Sequence, residues 1–287
     1  MNWTIRTRNG NYYTAHMRLI FVPILILVAG CILTGIIFGY QNYYQKIYDQ
    51  TYQTIRTNTP TVTVPDKKTA QYAVRNCAYS TPELFTVDLI RYRNVDGQVE
   101  YEFVYNAYAA DYEANLVRYT AYIEDIMAEC PALDTDEDKV KWVHDTIVAR
   151  YEYDTALNNH TALSMLDTGK GVCSAYTALF IELATRLGLQ CGVAVSDSMN
   201  HTWNIVKVGK TWYHLDVTWD DQSESYDYYL KTEAEFVALN HRDWVDTSKN
   251  LTYYDNLKTK LFLIGGIALA VSLLLVFAPL LFNYLFR

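Results

Sequence analysis

Two long runs without a charged side chain, residues 19–40 and 261–286, divide this 287-residue chain before any motif is considered. At about 1.5 Å per helical residue the first run reaches roughly 33 Å, enough to cross the apolar core of a bilayer. The second run is longer still. Pro23, Gly35, Gly265 and Gly266 are compatible with spanning, because transmembrane helices tolerate both residue types. A cleaved signal peptide is the rival reading of the first run, but its apolar stretch exceeds a usual signal core and no small-residue cleavage pattern follows. The expectation is a signal anchor and a second transmembrane helix. Arg6, Arg8 and Arg18 precede the anchor, and no acidic residue does, which by the positive-inside rule makes residues 1–18 a cytoplasmic N-terminus. Lys258 and Lys260 oppose that orientation at the second run and Arg287 favours it, so the N-terminal bias decides. The chain is expected to be a multi-pass plasma-membrane protein with both termini cytoplasmic and the bracketed region extracytoplasmic.

All 32 acidic residues lie between the two runs, as do all basic ones except Arg6, Arg8, Arg18 and Arg287. The bracketed region therefore carries roughly −12 of formal charge, which disfavours nucleic acid and anionic lipid faces as partners. A transporter or channel is excluded on different grounds: two spans without charge offer no intramembrane polar pathway. The cysteines are Cys31, in the first run, and Cys77, Cys130, Cys173 and Cys191. In an oxidising compartment Cys77 and Cys130 could form a disulfide, and two reduced thiols fit equally well. Asn-x-Thr sequons occur at Asn2, Asn159, Asn200 and Asn250; a glycan beside His201 would obstruct that histidine, which favours a bacterial setting.

Residues 41–80, rich in Tyr, Gln, Thr and Asn and without helical or strand period, read as a stalk. Residues 81–135 form an N-terminal β-hairpin and helix, with strands at 84–93 and 99–105 turned by Asp96-Gly97 and an amphipathic helix over 111–130 ended by Pro131. Residues 136–250 form the core. A helix starting after Thr135 runs to about Tyr151, and a polar loop over 158–171 holds a short helix near 162–166. The run from Cys173 to Leu187, apolar around most of its circumference and closed by Gly188, predicts a buried central helix. Strands follow at 191–195, 202–208 and 211–217, the last two joined by Gly209-Lys210. The fold class is α+β.

A thiol attacks an amide only as thiolate, and a helix N-terminus and a neighbouring imidazolium both lower a cysteine's pKa. Cys173 opens the central helix after Gly169-Lys170-Gly171, whereas Cys191 opens an apolar strand and reads as core. With a two-residue loop at 209–210, Val208 pairs with Thr211, so Trp203 faces Asp216 and His201 lies diagonal to Asp216 on one side of the hairpin. That side carries His201, Trp203, Trp212, His214 and Asp216. His214 competes for the role of base, but it stands beside Asp216 on the same strand and reads as structural; Trp203, Trp212 and Trp219 read as packing, and Asp220 and Asp221 as caps of a turn. The lack of His-Glu-x-x-His and Cys-x-x-Cys patterns argues against a metal site, and no cofactor is implied.

Gly169-Lys170-Gly171-Val172-Cys173, His201-Thr202-Trp203-Asn204 and the stretch from Trp212 to Asp221 resemble, in order and spacing, the three core motifs of the transglutaminase-like superfamily. The helix from Asp138, Tyr153-Asp154, Tyr229-Leu230 and His241 extend the likeness over roughly 110–245. Ser174-Ala175-Tyr176 departs slightly from the pattern around the cysteine in bacterial relatives. The resemblance implies a papain-like core, a central cysteine helix packed on an antiparallel sheet, with Cys173, His201 and Asp216 as catalytic triad. It further implies chemistry on protein or peptide amides through a thioester, by peptidase, deamidase or protein-glutamine acyltransferase action. The alternative is a non-catalytic binding or scaffolding module of the same fold at the membrane surface.

Overall fold

The computed structural model describes residues 2–6, 12–16, 18–246 and 267. Two compact units divide the chain, Met1–Asn42 with Asn250–Arg287 and Tyr43–Lys249. In the first, strands β1 (Asn2–Arg6) and β2 (Tyr12–His16) pair antiparallel from Asn2↔His16 to Arg6↔Tyr12. Helix α1 (Arg18–Arg56) starts there, so the backbone of residues 19–40 is helical. Among the described residues no helix is long and apolar enough to cross a membrane. Most side chains of 19–40, and all of 261–286 except Ile267, lie outside the described residues, and so do the two spans expected from them.

In the second unit the stretch expected to be a stalk is folded. The C-terminal part of α1 buries Tyr44, Ile47 and Ile55, strand β3 (Thr61–Pro65) buries Val62 and Val64, and helix α2 (Lys68–Ser80) buries Ala70, Ala73, Val74 and Cys77. Small residues at i, i+3, i+4 and i+7 make α2 amphipathic without a large apolar side chain to advertise it. Strands β4 (Val87–Val95) and β5 (Gln98–Tyr105) form the expected hairpin; Asp96 and Gly97 both have positive φ, 48° and 73°, as a type I′ turn demands. β3 pairs with the far side of β5, giving the antiparallel order β3-β5-β4.

A 3-10 turn (Ala107–Asp111) leads into α3 (Tyr112–Ala128), capped by Asp111, and then α4 (Asp136–Arg150), capped by the Thr135 hydroxyl. Next come β6 (Glu152–Tyr153), α5 (Ala162–Thr168), β7 (Lys170–Gly171) and α6 (Cys173–Arg186). Beyond Gly188, whose φ of 78° lets the chain turn off α6, follow β8 (Cys191–Ser196), β9 (His201–Val208) and β10 (Thr211–Leu215). Helices α7 (Val217–Ser223) and α8 (Glu233–Ala238) and strand β11 (Trp244–Asp246) complete the unit. The central sheet is antiparallel in the order β10-β9-β8-β11.

Helix α6 packs on one face of this sheet. Its Ala175, Tyr176, Leu179, Phe180 and Leu183 join Val206, Leu215 and Val217 from the sheet side and side chains of α3, α4 and α5 in one core. Phe85, Tyr119, Ile123 and Ile126, from residues 81–135, are buried in the same core as α6. Phe85 stacks on Tyr112 at 5.2 Å and 6° and abuts Tyr119 at 5.3 Å. The opposite sheet face packs Ala194, Trp203 and Ile205 against Phe236 of α8.

Candidate active site

The start of α6 is held from three sides. The buried Asp154 carboxylate accepts main-chain N–H groups of Ala156, Asn158 and Asn159 and the Asn159 side-chain amide, at 2.8 to 3.0 Å. These donors hold its pKa below the usual carboxylate range. The loop so folded presents the Asn159 carbonyl to the N–H of Val172 at 2.9 Å and the His160 carbonyl to the Ser174 hydroxyl at 2.6 Å. Gly171 supplies the third constraint: a Cβ there would stand 2.9 Å from the Ala175 Cβ and 2.7 Å from the Met165 sulfur, so any side chain would push α6 away from α5. Cys173 follows, partly exposed, at the first position of the helix.

The β9-β10 register is the one the two-residue turn dictates, from Thr211↔Val208 to Leu215↔Asn204. Asp216 leaves the strand at that point and becomes the N-cap of α7, its Oδ1 accepting the Trp219 N–H at 3.2 Å. Its other oxygen, Oδ2, accepts from His201 Nε2 at 2.6 Å, and the Cys173 thiol interacts with the same imidazole. The imidazole lies between indoles, stacked on Trp219 at 5.1 Å and 20° and on Trp203 at 5.8 Å and 28°. Cap, hydrogen bond and stacking leave the ring little freedom.

Burial alone would lift the Cys173 thiol pKa, but its hydrogen bond and charge interaction with His201, joined by Thr202, bring it below the ordinary value. Burial works against the His201 cation as well, and is outweighed by Asp216 and then Cys173, so that its pKa rises to about 10. Asp216 is fully buried and still held low, by His201 first and by His241. The remaining described cysteines move the other way: burial lifts Cys77 and Cys130 and pushes Cys191 up to about 12. Cys77 and Cys130 are free thiols.

His214 is absent from this relay. Its Nδ1 accepts the Trp203 indole N–H at 2.9 Å, inside the aromatic cluster with Phe236 and Trp244. The second imidazole on Asp216 belongs to His241, whose Nε2 meets Oδ2 at 3.0 Å in a fully buried position. The family resemblance puts His241 in a continuation of the core and gives it no role; it follows α8 in an aperiodic stretch where Asn240 and Asp243 have positive φ. His201, Asp216 and His241 offer ligand atoms within 4.8 Å of one another. Yet 2.6 Å from Nε2 to Oδ2 is a hydrogen-bond distance, shorter than the separation of two ligands each about 2.0–2.1 Å from a shared zinc ion. Asp220 and Asp221 do not cap a turn. Asp220 is buried against His144 Nε2 at 3.2 Å and accepts the Tyr228 N–H, and Asp221 accepts the Tyr176 hydroxyl at 2.5 Å.

Cys173 and His201 border a cleft of about 350 Å³. A partly exposed thiol at a helix start, an imidazole beside it and a buried carboxylate behind form the arrangement that cysteine-dependent acyl-transfer chemistry requires. Residues 124–217 match the family model of the Transglutaminase-like superfamily. The match includes Cys173, His201 and Asp216; His241 and the strands before residue 124 lie beyond it. Among solved structures the chain is similar to one described as a TGase, at 18% identity and a TM-score of 0.31 over 55% of this chain and 50% of that one. It is also similar to a "Putative Cysteine Protease from Cytophaga hutchinsonii", at 13% identity and a TM-score of 0.32 over 56% of this chain and 65% of the other. The chain thus spans half to two thirds of these structures. No curated protein matches it.

Proposed function

We propose that this chain is a transglutaminase-like cysteine enzyme acting on amide bonds of proteins or peptides through a thioester. The observation that carries this reading is the opposite treatment of the cysteines, with Cys173 alone among the four described ones stabilised as thiolate. The Cys173 sulfur attacks the amide carbonyl carbon while its main-chain N–H, at the open end of α6, faces the developing oxyanion. As the C–N bond breaks, the His201 imidazolium gives its proton to the departing nitrogen. Water or an amine, relieved of a proton by the same imidazole, then displaces sulfur from the thioester. Asp216 fixes the ring so that Nδ1 serves the sulfur, and Trp219 and Trp203 exclude water from the ring faces. No step requires a cofactor.

The same proposal places the enzyme at the plasma membrane, anchored by residues 19–40 and 261–286 with the cleft outside, on the strength of the two uncharged runs and the Arg6, Arg8 and Arg18 cluster. To test the chemistry, the full chain is incubated with mixed-sequence peptides and a primary amine, and the peptides are read by mass spectrometry for cleavage, deamidation and amine addition. One of these products is expected and Cys173→Ala should abolish it. Product formation surviving Cys173→Ala would overturn the reading, and inertness of the wild type with an unperturbed thiol would favour a scaffolding module.

A further inference from the structure

The cleft at Cys173 has a second wall that the transglutaminase-like core does not supply. Val87, Asp88, Leu89 and Ile90, four consecutive residues of β4, line it together with Tyr92. A strand that showed the cleft one of its faces would contribute alternate residues only. The register shifts by a β-bulge between Val87 and Leu89, but Leu89 and Ile90, consecutive and beyond it, both line the cleft, so the cleft lies along the edge of the strand. That edge is the free one, since β4 ends the order β3-β5-β4 and no residue of β5 borders the cleft.

The register states which main-chain groups are open. Around the two-residue turn the flanking pair Val95↔Gln98 is hydrogen-bonded, and alternation then turns Arg93, Arg91 and Leu89 toward β5. The N–H and C=O of Ile90 and Tyr92 consequently point outward. Among the described residues no hydrogen bond from another segment occupies them. On the opposite wall stand Cys173, His201 and the end of β8, and the Tyr92 hydroxyl reaches Asp197 there at 3.2 Å, which fixes the spacing of the two walls.

We propose that β4 is the substrate-docking edge: an extended polypeptide segment adds to it as a further strand, through the main-chain groups of Ile90 and Tyr92, and so carries its reactive amide past Cys173. This rests on the thioester reading above and names its substrate class. The groups offered are main-chain donors and acceptors in β geometry, which match a polypeptide backbone and neither a small free amide nor a helical surface. At about 3.3 Å per residue the segment of β4 in the cleft engages a peptide of roughly six residues. Edge strands left open are ordinarily blunted because they recruit other chains. Here the open edge borders the cleft that holds the cysteine.

The test uses the full chain and two reagents that alkylate Cys173: free chloroacetamide, and short mixed-sequence peptides with a chloroacetamide on a central side chain. The readout is the ratio of peptide to free-reagent rate. Docking predicts that the peptides react about tenfold faster or more, as two or more main-chain hydrogen bonds allow. It further predicts a period of two: N-methylation at one alternate set of peptide positions removes the advantage, and at the other set leaves it. Ile90→Pro, which deletes an outward N–H without breaking the ladder to β5, should also remove it. An equal ratio for both methylated sets, or an advantage retained in Ile90→Pro, overturns the docking while leaving the thiolate reading intact. Failure of chloroacetamide itself to react faster than with an ordinary thiol overturns the enzyme reading and the docking with it. A dimer that becomes monomeric in Ile90→Pro would give the edge to a second copy of the chain and likewise overturn the proposal.

Discussion

Asp216 binds two imidazoles through one oxygen and caps a helix with the other, so a single buried carboxylate ties together β10, α7, His201 and the segment after α8. With His201 as the proposed base, His201→Ala should be the severe change and lower turnover by about 10²–10⁴-fold, measured as kcat/KM on a peptide product assay. His241 meets Asp216, and in the proposed mechanism it would act by positioning that carboxylate. His241→Ala should therefore cost less than His201→Ala, and equality of the two losses would contradict that role. Gly171→Ala acts through packing. The new methyl meets Ala175 and Met165 at under 3 Å, and overpacking of this kind costs about 1–3 kcal/mol, visible as a lowered midpoint in thermal unfolding. Cys173 and its partners were legible in the sequence because each sits at a place marked by local rules, a helix start behind two glycines and a hairpin with a two-residue turn. His241 was not. Its place in the site comes from a tertiary contact with a residue 25 positions away, and the loop that delivers it has no period.

At the scale of elements, the sequence read most truly where periodicity involved large side chains. Helices α3, α4 and α6 and the β9-β10 register fall within a residue or two of expectation. What it missed lies in residues 41–80 and after Val217, where α7, α8 and β11 carry no long periodic run. Thr61-Val62-Thr63-Val64 does alternate, with both valines buried, but the stretch is short and flanked by Pro60 and Pro65; α2 hides its buried stripe in alanines. These elements bring the β3-β5-β4 sheet up to the cleft. Phe85 anchors the connection to the helical core, and Phe85→Ala should destabilise the fold by about 3–5 kcal/mol in urea denaturation. A loss under 1 kcal/mol would show that the N-terminal elements and the core are energetically separate.

Over the whole molecule, the titrating groups bracket a window of stability. Asp154 and Asp216 are held below the ordinary carboxylate value near 4, so their contribution is present above it and is lost as pH falls through their folded values. His201, raised to about 10, contributes fully below its unfolded value of about 6.5 and loses that contribution as pH rises through 10. Tyr48 and Tyr79, pushed by burial to about 12, contribute below about 10 and oppose folding as the unfolded phenols ionise. Urea midpoints should therefore drop as pH falls below about 4, and decline as pH rises from about 6.5 through 10 with His201 and further above about 10 with the tyrosines. The proposed topology is checked in intact cells, where a membrane-impermeant thiol reagent should label Cys173 without permeabilisation; labelling only after permeabilisation would place the cleft inside. Most directly at stake is the claim that Cys173 is held as a thiolate by His201. The decisive measurement is the pH dependence of its iodoacetamide alkylation in the wild type, His201→Ala and His214→Ala. Rapid reaction well below the ordinary thiol range near pH 8.5, lost in His201→Ala and kept in His214→Ala, is what the geometry predicts. A profile that follows an ordinary thiol, or one disturbed by His214→Ala and not by His201→Ala, would contradict it.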